Sequence, residues 1–245
     1  MNRFLALFLL LPGLAWAQAS VTPAPTRWHA VLVAGDPSLE VWDAAVESLG
    51  LGLERGGGLA SLRRFSARQD RTTQGAEPAT PDRVLAAIAQ MRPGPGEACL
   101  VFLTMHGVPN QGLAFPLSRQ AVGPAPLDAA LSQGCGRAPT FVVVSACYSG
   151  GFAAAPMARP NRVILTAARA DRSSFGCGAQ FSLTVFDRCV ITAMMVGQGG
   201  APGVARSARD CVAAEEARQN MRPPSEPQAY IGAEAVALVP RLRKN

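Results

Sequence analysis

The sequence is poor in the residues that most metal and redox sites need. It contains two histidines, and its six cysteines include no C-x-x-C pair. Because metal sites are built from histidines and cysteines at close spacing, we expect no metal and no other cofactor. A disulfide-exchange protein is disfavoured on the same ground, since such proteins use a C-x-x-C pair.

Lysine and aromatic residues are also scarce. Lys244 is the only lysine, aromatics make up 6% of the chain, and the net charge of +6 comes almost wholly from arginine. The arginines are scattered, with no basic helix and no interleaved aromatics of the kind that nucleic-acid-binding proteins present. A GC-rich coding bias explains the use of arginine over lysine. We therefore expect no nucleic-acid partner.

Long apolar runs are absent after residue 17. Residues 1–17 carry Arg3, an apolar core at residues 4–11, and the small-x-small site Ala15-Trp16-Ala17, which is the pattern of a signal peptide. A membrane span needs about 20 apolar residues, more than this core provides. No cysteine lies near the cleavage site to take a lipid anchor. We expect an exported protein without a stable membrane anchor, periplasmic in a bacterium or secreted after cleavage near Ala17.

Residues 18–245 are expected to form one domain, because no linker or internal repeat divides them. Apolar runs that alternate with helical patterns predict a mostly parallel α/β sheet of about six strands with helices on both faces. Residues 70–77 are expected to form an exposed loop. The predicted strands lie at 28–34, 62–65, 100–105, 141–144, 162–166 and 230–238, and the helices at 43–55, 80–92, 126–133, 181–195 and 203–220.

Two of these strands end in reactive side chains. Residues 100–105 lead into His106-Gly107, and residues 141–144 lead into Ser145-Ala146-Cys147. A helix between two strands favours a crossover connection and parallel neighbours. Both reactive residues would then leave the carboxyl edge of one sheet, where open α/β sheets bind their ligands.

This placement predicts a nucleophile and its base. A thiolate attacks carbonyl groups, and an imidazole takes the thiol proton and later protonates the leaving amine. We therefore expect Cys147 to be the nucleophile and His106 the acid–base residue. The backbone N–H groups of Gly107 and Cys147 would form an oxyanion hole, worth about 3 kcal/mol per donor. His29 is predicted at the opposite edge of the sheet.

Four of the other five cysteines are predicted to form two disulfides. If the two central strands are parallel neighbours, Cys99 and Cys135 lie together at the edge opposite Cys147. Cys189 and Cys211 lie in two later helical patterns and would join those helices. Cys147 then stays free, and Cys177 has no obvious partner. In an exported protein such pairs are stable.

The pattern of an apolar block followed by His-Gly, and then an apolar block followed by x-Ala-Cys, resembles the caspase–legumain clan of cysteine peptidases. The closest resemblance is to the legumain-type, or C13, family. It rests on the segments WHAVLVAGD, VFLTMHG, VVVSACYSGG and RVILTAARADRSSFGCG, and covers residues 28–178. The resemblance implies a caspase-like three-layer sandwich and cleavage of peptide bonds through a thioester, with a peptide or protein as substrate.

The resemblance also implies substrate-binding residues. Ser173, Ser174 and Phe175 would lie along the substrate peptide. Ser145 stands where caspases have Gln and legumains have Glu, two residues before the nucleophile, and is expected to face the substrate. The loop after the first strand lacks the Asn and the basic residue of legumains. Asp36 stands there instead, and together with Asp43 is a candidate to attract a basic side chain.

Three alternatives differ in function. An α/β-hydrolase would need a histidine after its nucleophile, and none follows Cys147. A catalytically silent caspase-like binding protein would retain the same two residues. A transamidase or transpeptidase would use them to transfer the acyl group to an amine rather than to water. The sequence says nothing of the oligomeric state.

Overall fold

The computed structural model describes residue 25 and residues 27–243, so the expected signal peptide lies outside the described residues. The strands are β1 Arg27–Ala34, β2 Leu59–Ser66, β3 Glu77–Pro78, β4 Glu97–Thr104, β5 Gly107–Val108, β6 Gly112–Phe115, β7 Gln120–Val122, β8 Thr140–Ser145, β9 Arg162–Thr166 and β10 Gln228–Ile231. The helices are α1 Val41–Gly56, α2 Gln69–Thr72, α3 Pro81–Ala89, α4 Pro124–Gly134, α5 Val185–Val196 and α6 Gly200–Arg218, with a 3-10 helix at Ser149–Ala153.

The main sheet has seven strands in the order β10-β9-β8-β4-β1-β2-β3. All neighbours are parallel except β10, which runs antiparallel to β9 at one edge. The two central strands, β4 and β8, are wholly apolar over most of their length, as strands covered on both faces are. They are parallel neighbours, as the sequence predicted, and Thr104 lies opposite Ser145.

Side chains on β4 alternate between two apolar cores. Ala98, Leu100 and Phe102 pack in the core that contains α1, α5 and α6. Cys99, Val101 and Leu103 pack in a second core with α3, α4 and the small sheet β5-β6-β7. The sheet is therefore the middle layer of three, which confirms the predicted three-layer α/β sandwich with a mostly parallel sheet.

Several short elements were not predicted. The three-stranded antiparallel sheet β5-β6-β7 follows His106, where no strand was expected. The expected loop at residues 70–77 contains α2 and the start of β3, and the last strand is β10 rather than residues 230–238. These elements are two to four residues long, too short to show a hydrophobic period.

Two disulfides join the elements as expected from the strand and helix positions. Cys99–Cys135 ties the start of β4 to the end of α4, and Cys189–Cys211 ties α5 to α6. Cys147 and Cys177 are free. Disulfides are typical of proteins that fold outside the cytoplasm. Among the described residues, no helix has the length and apolarity needed to cross a membrane.

Candidate active site

The segments that follow β4 and β8 touch at the carboxyl edge of the sheet. The N–H of Met105 donates to the carbonyl of Ser145 at 3.1 Å, which continues the strand pairing by one residue. Beyond it, a Cβ added to Gly107 would lie 1.9 Å from the carbonyl oxygen of Cys147 and 3.2 Å from the Cβ of Ala146. Only glycine fits in this contact. The structure thus brings His106-Gly107 and Ala146-Cys147 together.

His106 is held from two sides. Its ring meets the ring of Trp42 edge-on, with centroids 4.8 Å apart and an interplanar angle of 73°. Trp42 lies in the first turn of α1 and is 1% exposed, so it is a fixed surface for the imidazole. The carbonyl of His106 accepts from the N–H of Ala114 in β6 at 2.9 Å. The small sheet therefore fixes the backbone of this residue.

The thiol of Cys147 lies against the loop after β9. Its sulfur accepts from the backbone N–H of Ser174 at 3.3 Å and lies 3.6 Å from the Ser174 hydroxyl. In the described part of the chain, no hydrogen bond joins this thiol directly to the imidazole of His106. Catalytic hydrogen bonds are often long in unliganded enzymes and tighten when substrate binds. The arrangement leaves the thiol half-buried, with the peptide N–H of Ser174 beside it.

The loop after β9 forms one wall of the site. The N–H of Tyr148 donates to the carbonyl of Arg172 at 2.7 Å, and the Ser173 hydroxyl donates to the Tyr148 hydroxyl at 3.2 Å. Ser173 is exposed, whereas Ser174 and Phe175 are half-buried, and Phe175 packs against the core of α1, α5 and α6. The three residues expected to lie along a substrate are thus on the loop beside the nucleophile.

The other candidate substrate residues, Ser145, Asp36 and Asp43, are buried. Ser145 is 3% exposed and its hydroxyl lies beside the buried carboxylate of Asp187, and its contact with substrate stays a prediction. Asp36 is also buried, and its Oδ1 accepts from the N–H of Ser38 at 2.8 Å. Asp43 is buried in α1, where burial raises its pKa although it accepts from the Ser66 hydroxyl.

His29 lies away from this edge, as predicted. Its ring is hydrogen-bonded to Glu97 at 2.8 Å and to Ser61 at 3.0 Å, at the amino ends of the strands. His106 is therefore the histidine at the thiol's edge of the sheet. No group of three or more metal-binding side chains occurs in the described residues.

One buried group at the site was missed by the sequence reasoning. Asp187 is in the first turn of α5 and is 0% exposed. Its Oδ2 accepts from the Thr104 hydroxyl at 2.8 Å, and its N–H donates to the Thr184 hydroxyl at 3.0 Å. Burial raises the pKa of Asp187 to about 6, although hydroxyl groups including that of Ser145 act against the shift. The Thr-x-x-Asp pattern signals a helix start, but not this contact with β4.

Comparisons with known proteins agree with this geometry. The Peptidase C13 family model matches residues 83–198, a stretch that contains both His106 and Cys147. The structure is similar to the crystal structure of caspase-1 from Spodoptera frugiperda, with a TM-score of 0.60 and 11% identity, over 91% of each chain. At this low sequence identity, the structural similarity is evidence for the fold alone. A search of curated proteins finds no match.

The two matches confirm the predicted resemblance to the caspase–legumain clan. They support a function like that of a cysteine peptidase, and a peptidase family implies a peptide or protein substrate.

Proposed function

We propose that this protein, which has a caspase-like fold and a central stretch that matches the C13 family model, is an exported cysteine endopeptidase. The observation that carries the proposal is the contact between Gly107 and the carbonyl group of Cys147. This contact brings a histidine and a free cysteine to the same sheet edge, on rigid strand ends.

In the proposed reaction, His106 takes the proton of the Cys147 thiol as the sulfur attacks the carbonyl carbon of the scissile peptide. The N–H groups of Gly107 and Cys147 donate to the oxyanion that forms. The imidazolium then protonates the leaving amine, the C–N bond breaks, and a thioester remains. Water, deprotonated by His106, attacks the thioester and releases the acid and the free thiol.

We assign the substrate path to the loop beside the thiol. Ser173, Ser174 and Phe175 lie there, and the N–H of Ser174 points at the nucleophilic sulfur. Asp36 is buried two residues after the end of β1, and the N–H of Gly35 donates to the carbonyl of Thr104 at 3.1 Å, so this carboxylate group lies at the same edge of the sheet. Such a carboxylate favours a basic side chain next to the scissile bond.

We further propose that the chain is a single peptidase domain over residues 18–245, exported by the leader at residues 1–17 and released into the periplasm or the medium. The two disulfides support an extracytoplasmic site. Mass spectrometry of the mature protein tests the cleavage point: an N-terminus near Gln18 is expected, and an intact Met1 would contradict the assignment.

Two other functions use the same fold. A silent binding protein is favoured by the lack of a direct bond between thiol and imidazole. A transamidase would pass the acyl group to an amine instead of water. Incubation of the reduced protein with a peptide library, with and without an added amine nucleophile, separates the three.

Hydrolysis products that disappear in Cys147→Ser and His106→Ala support the peptidase. Amine adducts as the main product indicate the transferase. No turnover of any peptide by the folded wild-type protein would overturn the proposal.

A further inference from the structure

The proposed reaction does not use Asp187, the carboxylate buried behind the site. It lies in α5, which is already fixed to α6 by the disulfide Cys189–Cys211. Its neighbours Phe186 and Val190 pack in the apolar core. The helix therefore has strong anchors besides this side chain. Burying a carboxylate costs free energy unless it is paired and fully hydrogen-bonded, so this side chain contributes little to stability alone.

Asp187 faces the last residues of both central strands. Its Oδ2 accepts from Thr104, the end of β4, at 2.8 Å. The hydroxyl of Ser145, the end of β8, also stabilises its charge. Thr104 and Ser145 are directly opposite each other in the sheet. One carboxylate thus accepts a hydrogen bond from the end of β4 and lies beside the end of β8, the neighbouring strand.

These two strand ends precede and position the two proposed catalytic residues. His106 comes two residues after Thr104, and Cys147 comes two residues after Ser145. The carboxylate is only partly hydrogen-bonded. Among the described residues, no hydrogen bond that meets the usual distance and angle criteria reaches its Oδ1. Burial is the main cause that raises its pKa, to about 6.

We propose that Asp187 is a positioning residue, which holds the ends of β4 and β8 together through Thr104 and Ser145 and so sets the distance between His106 and Cys147. This inference rests on the proposed function, because it assigns the carboxylate to the same pair of residues. The carboxylate touches neither substrate nor reacting atoms and acts through the two strand ends.

The sharpest variant is Thr104→Val, which removes the hydroxyl and keeps a β-branched shape. Thr140→Val is its matched control: Thr140 is equally buried, lies at the other end of β8, and donates to the carbonyl of Ala138 at 2.9 Å. Each variant loses one hydrogen bond, worth about 1 kcal/mol of stability. Asp187→Asn and Ser145→Ala complete the set.

We expect Thr104→Val and Asp187→Asn to lower kcat about tenfold or more, while KM changes less than about twofold, since small displacements of reacting groups reduce rates steeply. Thr140→Val should leave kcat unchanged. All rates are measured well below each variant's unfolding midpoint. Equal kcat in Thr104→Val and Thr140→Val, or a wild-type kcat in Asp187→Asn, would overturn the proposal.

Alkylation of Cys147 by iodoacetamide separates this proposal from the peptidase assignment, because it needs no substrate binding. If His106→Ala does not slow alkylation, the pairing of His106 with Cys147 itself is wrong. If His106→Ala slows it but Asp187→Asn and Thr104→Val do not, the positioning role alone is wrong. Slower alkylation in all three variants, with Thr140→Val at the wild-type rate, is the expected result.

Discussion

Gly107 lies directly against the carbonyl group of Cys147, with room for no side chain between them. A Cβ at residue 107 would lie 1.9 Å from the carbonyl oxygen and 2.9 Å from the carbonyl carbon. These are backbone atoms of the turn that follows β8, which do not move aside as a flexible side chain does. Gly107→Ala should therefore separate the two segments and lower kcat/KM about a hundredfold.

Gly151→Ala is the control for this substitution. A Cβ at residue 151 would meet nothing within 4 Å, and the residue lies in the 3-10 helix a few positions after Cys147. Peptidase assays of both variants should show a loss in Gly107→Ala only. Full activity in Gly107→Ala would mean that the close approach does not matter to the chemistry.

Trp42 is expected to orient the imidazole of His106 through its edge-on contact. Trp42→Leu removes that contact and also removes part of the core, at a cost of about 3 kcal/mol. Trp28→Leu is the matched control, because Trp28 is buried in the same core at the opposite edge of the sheet. Both variants should unfold at lower denaturant concentration.

Only Trp42→Leu should slow the alkylation of Cys147. The same alkylation rate in both variants would show that Trp42 contributes to stability and not to the orientation of His106.

The two long central strands and their reactive ends follow from the sequence because their signals are local and strong. Five consecutive β-branched or apolar residues at 140–144, shortly before Cys147, allow little besides a buried strand, and His106 follows a similar run. The parallel pairing of these two strands then follows from the helical crossover between them.

The parts that the sequence did not predict depend on distant contacts. The neighbour of Ser145 in space is Asp187, on a helix far along the chain. The small sheet after His106 depends on two- to four-residue strands around Asn110 and Gly112, whose backbone φ angles are 60° and 107°. A turn of this kind is visible in the sequence, but the strands beside it are too short to predict.

Asp128 is predicted to stabilise the fold through two arginines. It accepts from Arg162 at 2.7 Å and from Arg159 at 2.8 Å, and Arg162 is 1% exposed. Asp128→Ala leaves the Arg162 charge buried without its partner, so the free energy of unfolding should fall by about 3–5 kcal/mol. A loss below 1 kcal/mol in urea unfolding would contradict this role.

The same ion pair predicts a pH dependence. Burial alone would raise the pKa of Asp128, but the hydrogen bonds from Arg159 and Arg162 outweigh it and the pKa lies below its ordinary value. A carboxyl whose pKa is depressed on folding contributes stability above its unfolded pKa of about 3.9, and loses it as the pH falls through the folded value. The stability difference between wild type and Asp128→Asn should therefore shrink below about pH 4. A difference that is constant down to pH 2 would contradict the ion pair.

The disulfide Cys189–Cys211 should stabilise the helix pair that carries Asp187. The double variant Cys189→Ala/Cys211→Ala should lose about 2–4 kcal/mol of unfolding free energy, chiefly because its unfolded chain gains freedom. Strong reductant should lower the Tm of the wild type further than that of the variant, which retains only Cys99–Cys135 to be reduced. Equal shifts in both proteins would show that Cys189–Cys211 contributes nothing.

The most direct test of the account is the site and rate of labelling by a peptidyl electrophile. Cys147 is held at the proposed site, whereas burial raises the pKa of the other free thiol, Cys177, and lowers its reactivity. Mass spectrometry should find the label on Cys147. The His106→Ala substitution should slow labelling about a hundredfold or more, which is the usual contribution of an acid–base group. Equal labelling of Cys177, or an unchanged rate in folded His106→Ala, would contradict the pairing of imidazole and thiol.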